Sequence, residues 1–344
     1  MKHLALLFSS LLLVVALATG CSTSTQIGVP ELGLLNQVQS ASSTVRHGGT
    51  RRIESYYLLD DTGDPLIYRE EYQADGLGHF AITPLGAVQG GPQNPSEFIA
   101  LQMARAGFNQ RYRDFRIRDL AAFLANYKLT SASKIVQVAG RDCLELHIAR
   151  KDGSTLYEVA LDVETGLVLR YREFDATGQL YSMMEYETYD ANPDQSGVVF
   201  HSQVNQEQPL ASSVELGFVP LIPKLLPDSA FTFLEATRVV EPSSGARFAK
   251  LSFTDGVETV FFLDGGPDLK GHSKAAPTTS PPVGGGPHIA GVTPGHGGWP
   301  MDEVRAWHEG PLTVIWGDVA GHSIYVVGKA TPAELIDMLE SALP

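Results

Sequence analysis

Between residues 134 and 190 the chain reads KIVQVAGRDCLELHIARKDGSTLYEVALDVETGLVLRYREFDATGQLYSMMEYETYD, and its period of two restricts the fold more than any other stretch. Leu144, Leu146 and Ile148 alternate with Glu145 and His147. Tyr157, Val159, Leu161 and Val163 alternate with Glu158 and Asp162. Leu167, Leu169 and Tyr171 alternate with Arg170 and Arg172. Leu180, Met184 and Tyr186 continue less cleanly, because Tyr181 and Met183 fall on the other side. Successive strand side chains point to opposite faces, so each run has one apolar and one wet face. Ala139-Gly140, Lys151-Asp152-Gly153, Glu164-Thr165-Gly166 and Ala176-Thr177-Gly178 supply a turn between each pair of runs. Evenly spaced strands joined by such turns predict an antiparallel meander.

The flanking sequence extends that sheet and then covers it. RRIESYYLLDD, PLIYREEYQAD and HFAITPL read as three further strands, the first two joined by the turn cluster from Asp60 to Asp64. Asn94, Pro95 and Glu97 form a helix start, with Phe98, Leu101 and Ala104 near one stripe, and Gly107 ends it. Asp119 opens a shorter helix with Leu120, Phe123, Leu124 and Tyr127 on one side. Both read as amphipathic covers on a sheet. Pro209, Pro220 and Pro223 break the rhythm and mark a domain boundary. SAFTFLEATRVVE, ARFAKLSFTDG, VETVFFLD, PLTVIWGDVAG and HSIYVVGKA then make a second β unit. Thr331 and Pro332 start a closing helix with Leu335, Met338, Leu339 and Ala342 as its stripe. The predicted organisation is a leader at 1–20, a tether at 21–44 with about one helical turn, a first domain at 45–205, a linker at 206–220 and a second domain at 221–344. A Gly/Pro-rich excursion at 264–300 interrupts the last. The fold class is mainly β, α+β overall.

The N-terminus predicts export. Lys2 precedes the apolar run LALLFSSLLLVVALA, which is too short for a good spanning helix, and Thr19 and Gly20 are small. Ala18-Thr19-Gly20-Cys21 resembles the lipobox of bacterial lipoproteins. That resemblance implies removal of residues 1–20, lipid on Cys21 and anchoring by several acyl chains. With Ser22 next, it implies the periplasmic side of the outer membrane. The chain has 25 Lys and Arg against 39 Asp and Glu, a net charge of −14, so its surface repels polyanions. No basic stripe with interleaved aromatics occurs, which argues against nucleic acid as partner. If lipid takes Cys21, the remaining cysteine, Cys143, has no disulfide partner and reads as a small buried hydrophobe.

Signatures of catalysis are absent: no Gly-x-Ser-x-Gly elbow and no phosphate-cradling loop. His308-Glu309 runs into Gly310-Pro311, which cannot place a second zinc-binding His on a helix. Asp60, Thr62 and Asp64 mimic a calcium loop, but Pro65 stands where Gly is needed. His272, His288, His296 and His308 are irregularly spaced and read as incidental. The carboxylates of Arg172-Glu173-Phe174-Asp175 and EYETYD read mostly as a solvated strand face. No enzyme activity, metal or cofactor is predicted. The remaining feature is the apolar sheet face, with Leu146, Val159, Leu161, Leu169, Tyr171, Met184 and Tyr186 as candidate ligand-lining residues. It is either an ordinary core or a cavity for an acyl chain.

The stretch VAGRDCLELHIARKDGSTLYEVALDVETGLVLRYREFDATGQLYSMMEY resembles the first domain of the MucB/RseB family of sigma-E regulators. LIPKLLPDSAFTFLEATRVV, LSFTDGVETVFFLD and IYVVGKATPAELIDMLESAL resemble the second. The resemblance implies a large unclosed antiparallel half-barrel, like the lipoprotein carriers LolA and LolB, with helices covering its inner side, and a smaller α+β domain. It implies a periplasmic stress regulator that binds a membrane anti-sigma factor and answers to a lipid-type signal. The lipobox departs from the soluble members of that family and is closer to LolB. The alternative is therefore a carrier or acceptor of lipids or lipoproteins.

Overall fold

The computed structural model describes residues 29–59, 65–90, 94–108, 113–129, 134–175, 177–200, 207–224, 230–240, 247–267, 304–309 and 312–342. The leader, Cys21, the turn cluster at 60–64, and His272, His288 and His296 lie outside the described residues, as does most of the 264–300 excursion.

The alternating stretch folds as the meander its pattern predicts. Strands β6 (Arg141–Arg150), β7 (Leu156–Asp162), β8 (Val168–Phe174) and β9 (Leu180–Tyr186) lie side by side in chain order. β1 (Arg46–Leu59) pairs with β9, and β2 (Pro65–Asp75) and β3 (Phe80–Gln89) extend the sheet beyond it. At the other edge β4 (Tyr127–Leu129) and β5 (Lys134–Val138) pair with opposite halves of β6. The edges do not meet, so the nine-stranded antiparallel sheet is an unclosed half-barrel. Ala139 and Gly140 both take positive φ (50° and 77°), the type I′ geometry that matches strand twist in a two-residue hairpin.

Register makes the faces explicit. Leu146, Val159, Tyr171, Met184, Ile53 and Tyr68 are successive cross-strand neighbours, one buried row over six strands. The opposite face is a ladder of charges, with Arg172 3.3 Å from Glu158, Lys134 2.8 Å from Glu145, and Arg170 bonded to Glu145. Four residues depart from the predicted pattern: Glu145 and Asp162, expected on the wet side, are buried where Arg170 and Arg141 pair with them. Val163 is exposed where the chain turns out of β7. Glu173, expected on the solvated face, is buried because it shares the inner side with Tyr171 and meets a lysine of the second sheet.

Three helices cover the inner face. α1 (Val29–Thr44) occupies most of the segment expected as a tether; Leu35, Val38 and Ala41 recur at helical spacing and sink into the half-barrel core. α2 (Pro95–Phe108) begins where Asn94 accepts from the Ser96 amide at 3.0 Å, and Phe98 meets Tyr68 edge-on. α3 (Leu120–Asn126) is capped by Asp119 and buries Ala122 and Phe123, while Leu124 faces outward.

The second sheet has seven strands in the order β10 (Glu207–Pro209), β11 (Thr232–Val240), β12 (Arg247–Thr254), β13 (Thr259–Asp264), β16 (His322–Gly328), β15 (Leu312–Val319) and β14 (Val304–Glu309). α4 (Pro332–Ser341) starts with a capping box between Thr331 and Glu334 and buries Leu335, Met338 and Leu339, with Ala342 beyond its end, against the sheet. The stretch expected as a linker at 206–220 joins this unit: β10 is its edge strand, and the Leu210 amide donates to the Ala236 carbonyl at 3.1 Å.

Candidate functional site

The inner face and its junction with the second sheet form one continuous site. All seven candidate lining residues, Leu146, Val159, Leu161, Leu169, Tyr171, Met184 and Tyr186, are at most 3% exposed and belong to one apolar cluster. Beside their row lies another of different chemistry. Tyr186, Arg51 and Glu70 are cross-strand neighbours on the same inner face. The segment from Arg113 to Asp119, between α2 and α3, lays Arg113 and Asp114 against them.

The resulting four-charge cluster pairs largely within itself, although Arg51 Nε is buried without a hydrogen-bond partner. Arg113 donates to Glu70 at 2.9 Å, to Asp114 at 2.7 Å and to the Tyr68 hydroxyl at 2.7 Å. Arg51 donates to Asp114 at 3.0 Å and to Glu70, and stacks over the Tyr72 ring at 4.0 Å. Two cations thus balance two carboxylates. Burial alone would raise the Asp114 pKa, but Arg113 and Arg51 hold it below the usual carboxylate range. Nearby, burial pushes the His47 pKa down to about 4. Its Nδ1 donates to the Val45 carbonyl at 2.9 Å, leaving Nε2 to accept from Tyr186 at 3.1 Å. Cys143 is fully buried and its thiol is pushed up to about 12 by burial, as for an inert core cysteine.

The junction is built around the turn between β12 and β13, residues 255–258. Asp255 accepts from the Val257 and Glu258 amides at 3.0 and 2.9 Å, shaping the turn. Gly256 sits at φ 110°, and a Cβ there would lie 2.2 Å from the Phe123 amide nitrogen, so only glycine fits. The Gly256 carbonyl accepts from the Arg118 amide at 2.8 Å, and the Val257 carbonyl from Arg118 Nε at 2.9 Å. Asn126 donates to the Asp255 and Ala230 carbonyls at 3.0 and 2.9 Å. Tyr127 donates to the Asp255 carboxylate at 2.9 Å, with Arg150 at 3.4 Å.

A second set of contacts lies across a narrow crevice lined by Phe115, Arg118, Tyr157, Glu173, Glu258 and Lys329. Lys329 donates to Glu173 at 2.8 Å and lies 3.6 Å from Glu258. Tyr157 donates to Glu258. Burial opposes the Lys329 charge, yet Glu173 and Glu258 hold its pKa well above normal. Burial, with Glu258 nearby, pushes Glu173 up, and burial does the same to Asp255. These groups are engaged in holding one sheet to the other, which is positioning chemistry. Among the described residues, no three His, Cys, Asp or Glu side chains converge to hold a metal.

No protein-family model matches the chain, and no curated protein matches it. Solved structures do. The chain is similar to MucB. A crystal structure of MucB aligns at TM-score 0.47 and 15% identity over 90% of this chain and 96% of that one. The MucA/MucB complex of Pseudomonas aeruginosa aligns at 0.46 and 16%, over 90% and 96%. MucB bound to MucA(peri) aligns at 0.45 and 17%, over 91% and 97%.

Sequence reading missed Arg51, Glu70, Arg113, Asp114, Asp255 and Lys329. A signal was present for two of them. Arg51 is in phase with Ile53, and Glu70 with Tyr68 and Tyr72, so both charges share the apolar face of their strands.

Proposed function

We propose that this chain is a membrane-tethered envelope regulator that captures the periplasmic part of an anti-sigma factor and responds to lipid. Lipid on Cys21 supplies the tether. The observation that carries the proposal is where the family-like sequence segments sit. The Gly-containing turns of the resembling stretch are the hairpins of one meander, and LSFTDGVETV forms the turn that docks the second sheet onto it. The residues that bear the resemblance therefore build both units and the joint between them. A regulator that must present two surfaces to one partner needs that joint. A carrier needs a ready cavity, and the crevice at the junction holds only about 10 Å³, about the room of one water molecule.

The test is a pull-down from envelope extract with the soluble form beginning after Cys21, with the recovered membrane proteins identified by mass spectrometry. Recovery of a single-span anti-sigma protein is the expected result. Failure to recover any such partner, with acyl cargo found by native mass spectrometry, overturns the regulator in favour of the carrier.

A further inference from the structure

The joint between the two sheets carries more carboxylate than cation. Lys329 lies 2.8 Å from Glu173 of β8 and 3.6 Å from Glu258 of the docked turn, and all three side chains are at most 12% exposed. One ammonium thus serves two carboxylates. Ser182 of β9 donates to Glu173 at 2.9 Å and Tyr157 of β7 donates to Glu258, which adds hydrogen bonds but no charge. Beside them Asp255 is fully buried, with Arg150 of β6 at 3.4 Å. Arg150 is itself divided, with Asp152 at 3.3 Å and Glu334 of α4 at 4.0 Å. Tyr127 of β4 gives Asp255 another neutral donor. From the segment before α3, Arg118 supplies a third cation, with its Nε on the Val257 carbonyl. Arg113 and Asp114 offset each other within the four-charge cluster, and Tyr171 donates to the Arg113 carbonyl at 2.9 Å. Among the described residues the joint therefore sets five carboxylates against three cations.

Undocking the second sheet returns these carboxylates to water. A carboxylate buried beside another holds a proton more tightly than a solvated one, so docking is linked to proton uptake. Burial above all pushes Glu173 and Asp255 upward from their ordinary values, and Glu258 acts on each in the same direction. We propose that the joint is proton-gated: a proton taken up by the Glu173–Glu258 pair beside Lys329 locks the second sheet onto the half-barrel, and its loss as pH rises loosens the lock. The sign follows from the linkage. The contribution is whole below the ordinary carboxylate values of about 3.9–4.3 and is lost as pH rises through the raised ones. His47 acts in the opposite sense, because its contribution is lost as pH falls. The gate adds the pH around the protein as an input and does not depend on which partner or ligand the chain binds.

The test is residue-resolved hydrogen exchange on the full chain between about pH 5 and about pH 8, with protection corrected for the intrinsic pH dependence of each amide. The reporter is the Arg118 amide, which donates across the joint to the Gly256 carbonyl. Its protection should fall about tenfold or more over that range, since one linked proton allows up to about tenfold per pH unit. Amides of β7 and β8 should keep theirs. Glu173→Gln and Glu258→Gln each remove one charge of the pair and leave the other balanced by Lys329. Either variant should hold Arg118 protection near the acid level and cut the fall severalfold. Each variant tests the pair independently, so one that does not fold leaves the other, and the wild-type profile, to decide. Arg118 protection that is flat with pH, protection that rises with pH, or an unchanged fall in a folded variant overturns the gate.

Discussion

The outer face of the half-barrel and its interior use the same side chains to opposite ends. Outside, Arg172–Glu158 and Lys134–Glu145 form pairs in which at least one partner is more than a third exposed. Such pairs gain little in high dielectric and are screened by salt. They keep one side of a large antiparallel sheet wet. Inside, Arg51, Glu70, Arg113 and Asp114 are each at most 9% exposed. Removing four charges from water costs several kcal/mol per ion on the order-of-magnitude scale, and mutual pairing only offsets it. The interior cluster therefore adds little net stability, but breaking it is expensive. It dictates where the Arg113–Asp119 segment must lie. Charge outside controls solubility; charge inside controls register and placement.

The strongest way to break this comparison is Glu70→Gln. It leaves Arg51 and Arg113 sharing Asp114 alone, and severing a buried pair costs about 3–5 kcal/mol. Urea unfolding should show that loss; a change below about 1 kcal/mol would mean the cluster is solvated and the contrast with the outer face is wrong. Next is acid. The folded His47 pKa of about 4 lies below the ordinary 6.5, so the unfolded chain takes the proton first. The corresponding stability is whole above pH 6.5 and is lost as pH falls toward 4, by on the order of 3 kcal/mol. His47→Asn should flatten the stability profile between those pH values, relative to wild type, and leave the slope below pH 4 unchanged.

These interior features explain what the sequence could and could not reveal. The alternation from Leu144 to Tyr186 is a local property, and it identified the inner row correctly because each side chain's face depends only on its strand. Five strands of the second sheet and the capped α4 were legible for the same reason, while its edge strands β10 and β14 were not. Glu173 was misassigned because its burial depends on Lys329, which is far away in sequence. Arg113 and Asp114 carried no local signal, because their burial depends on Arg51 and Glu70 across the sheet. α1 was read as mostly tether because its own pattern is weak, with Leu35, Val38 and Ala41 spaced among polar residues. The burial of Glu173, of Arg113 and Asp114, and of α1 each involves a contact between distant segments, which pattern within a window does not encode.

The junction falls between the two extremes. Tyr127→Phe removes one hydrogen bond to the Asp255 carboxylate but leaves Arg150 beside it, so the loss should be about 1.5–3 kcal/mol. Differential hydrogen exchange should localise that loss to the 255–258 turn and α3. The smallest effect belongs to the outer face. Arg172→Ala removes the pair with Glu158 at a site where Arg172 is 38% exposed, and should cost below about 0.5 kcal/mol. Raising the salt concentration should erase even that difference, because an exposed pair is screened within roughly 10 Å at moderate ionic strength. The same salt should leave the Glu70→Gln loss nearly intact. A salt-sensitive interior cluster, or a salt-insensitive Arg172–Glu158 pair, would mean that solvent reaches both faces of the half-barrel sheet alike.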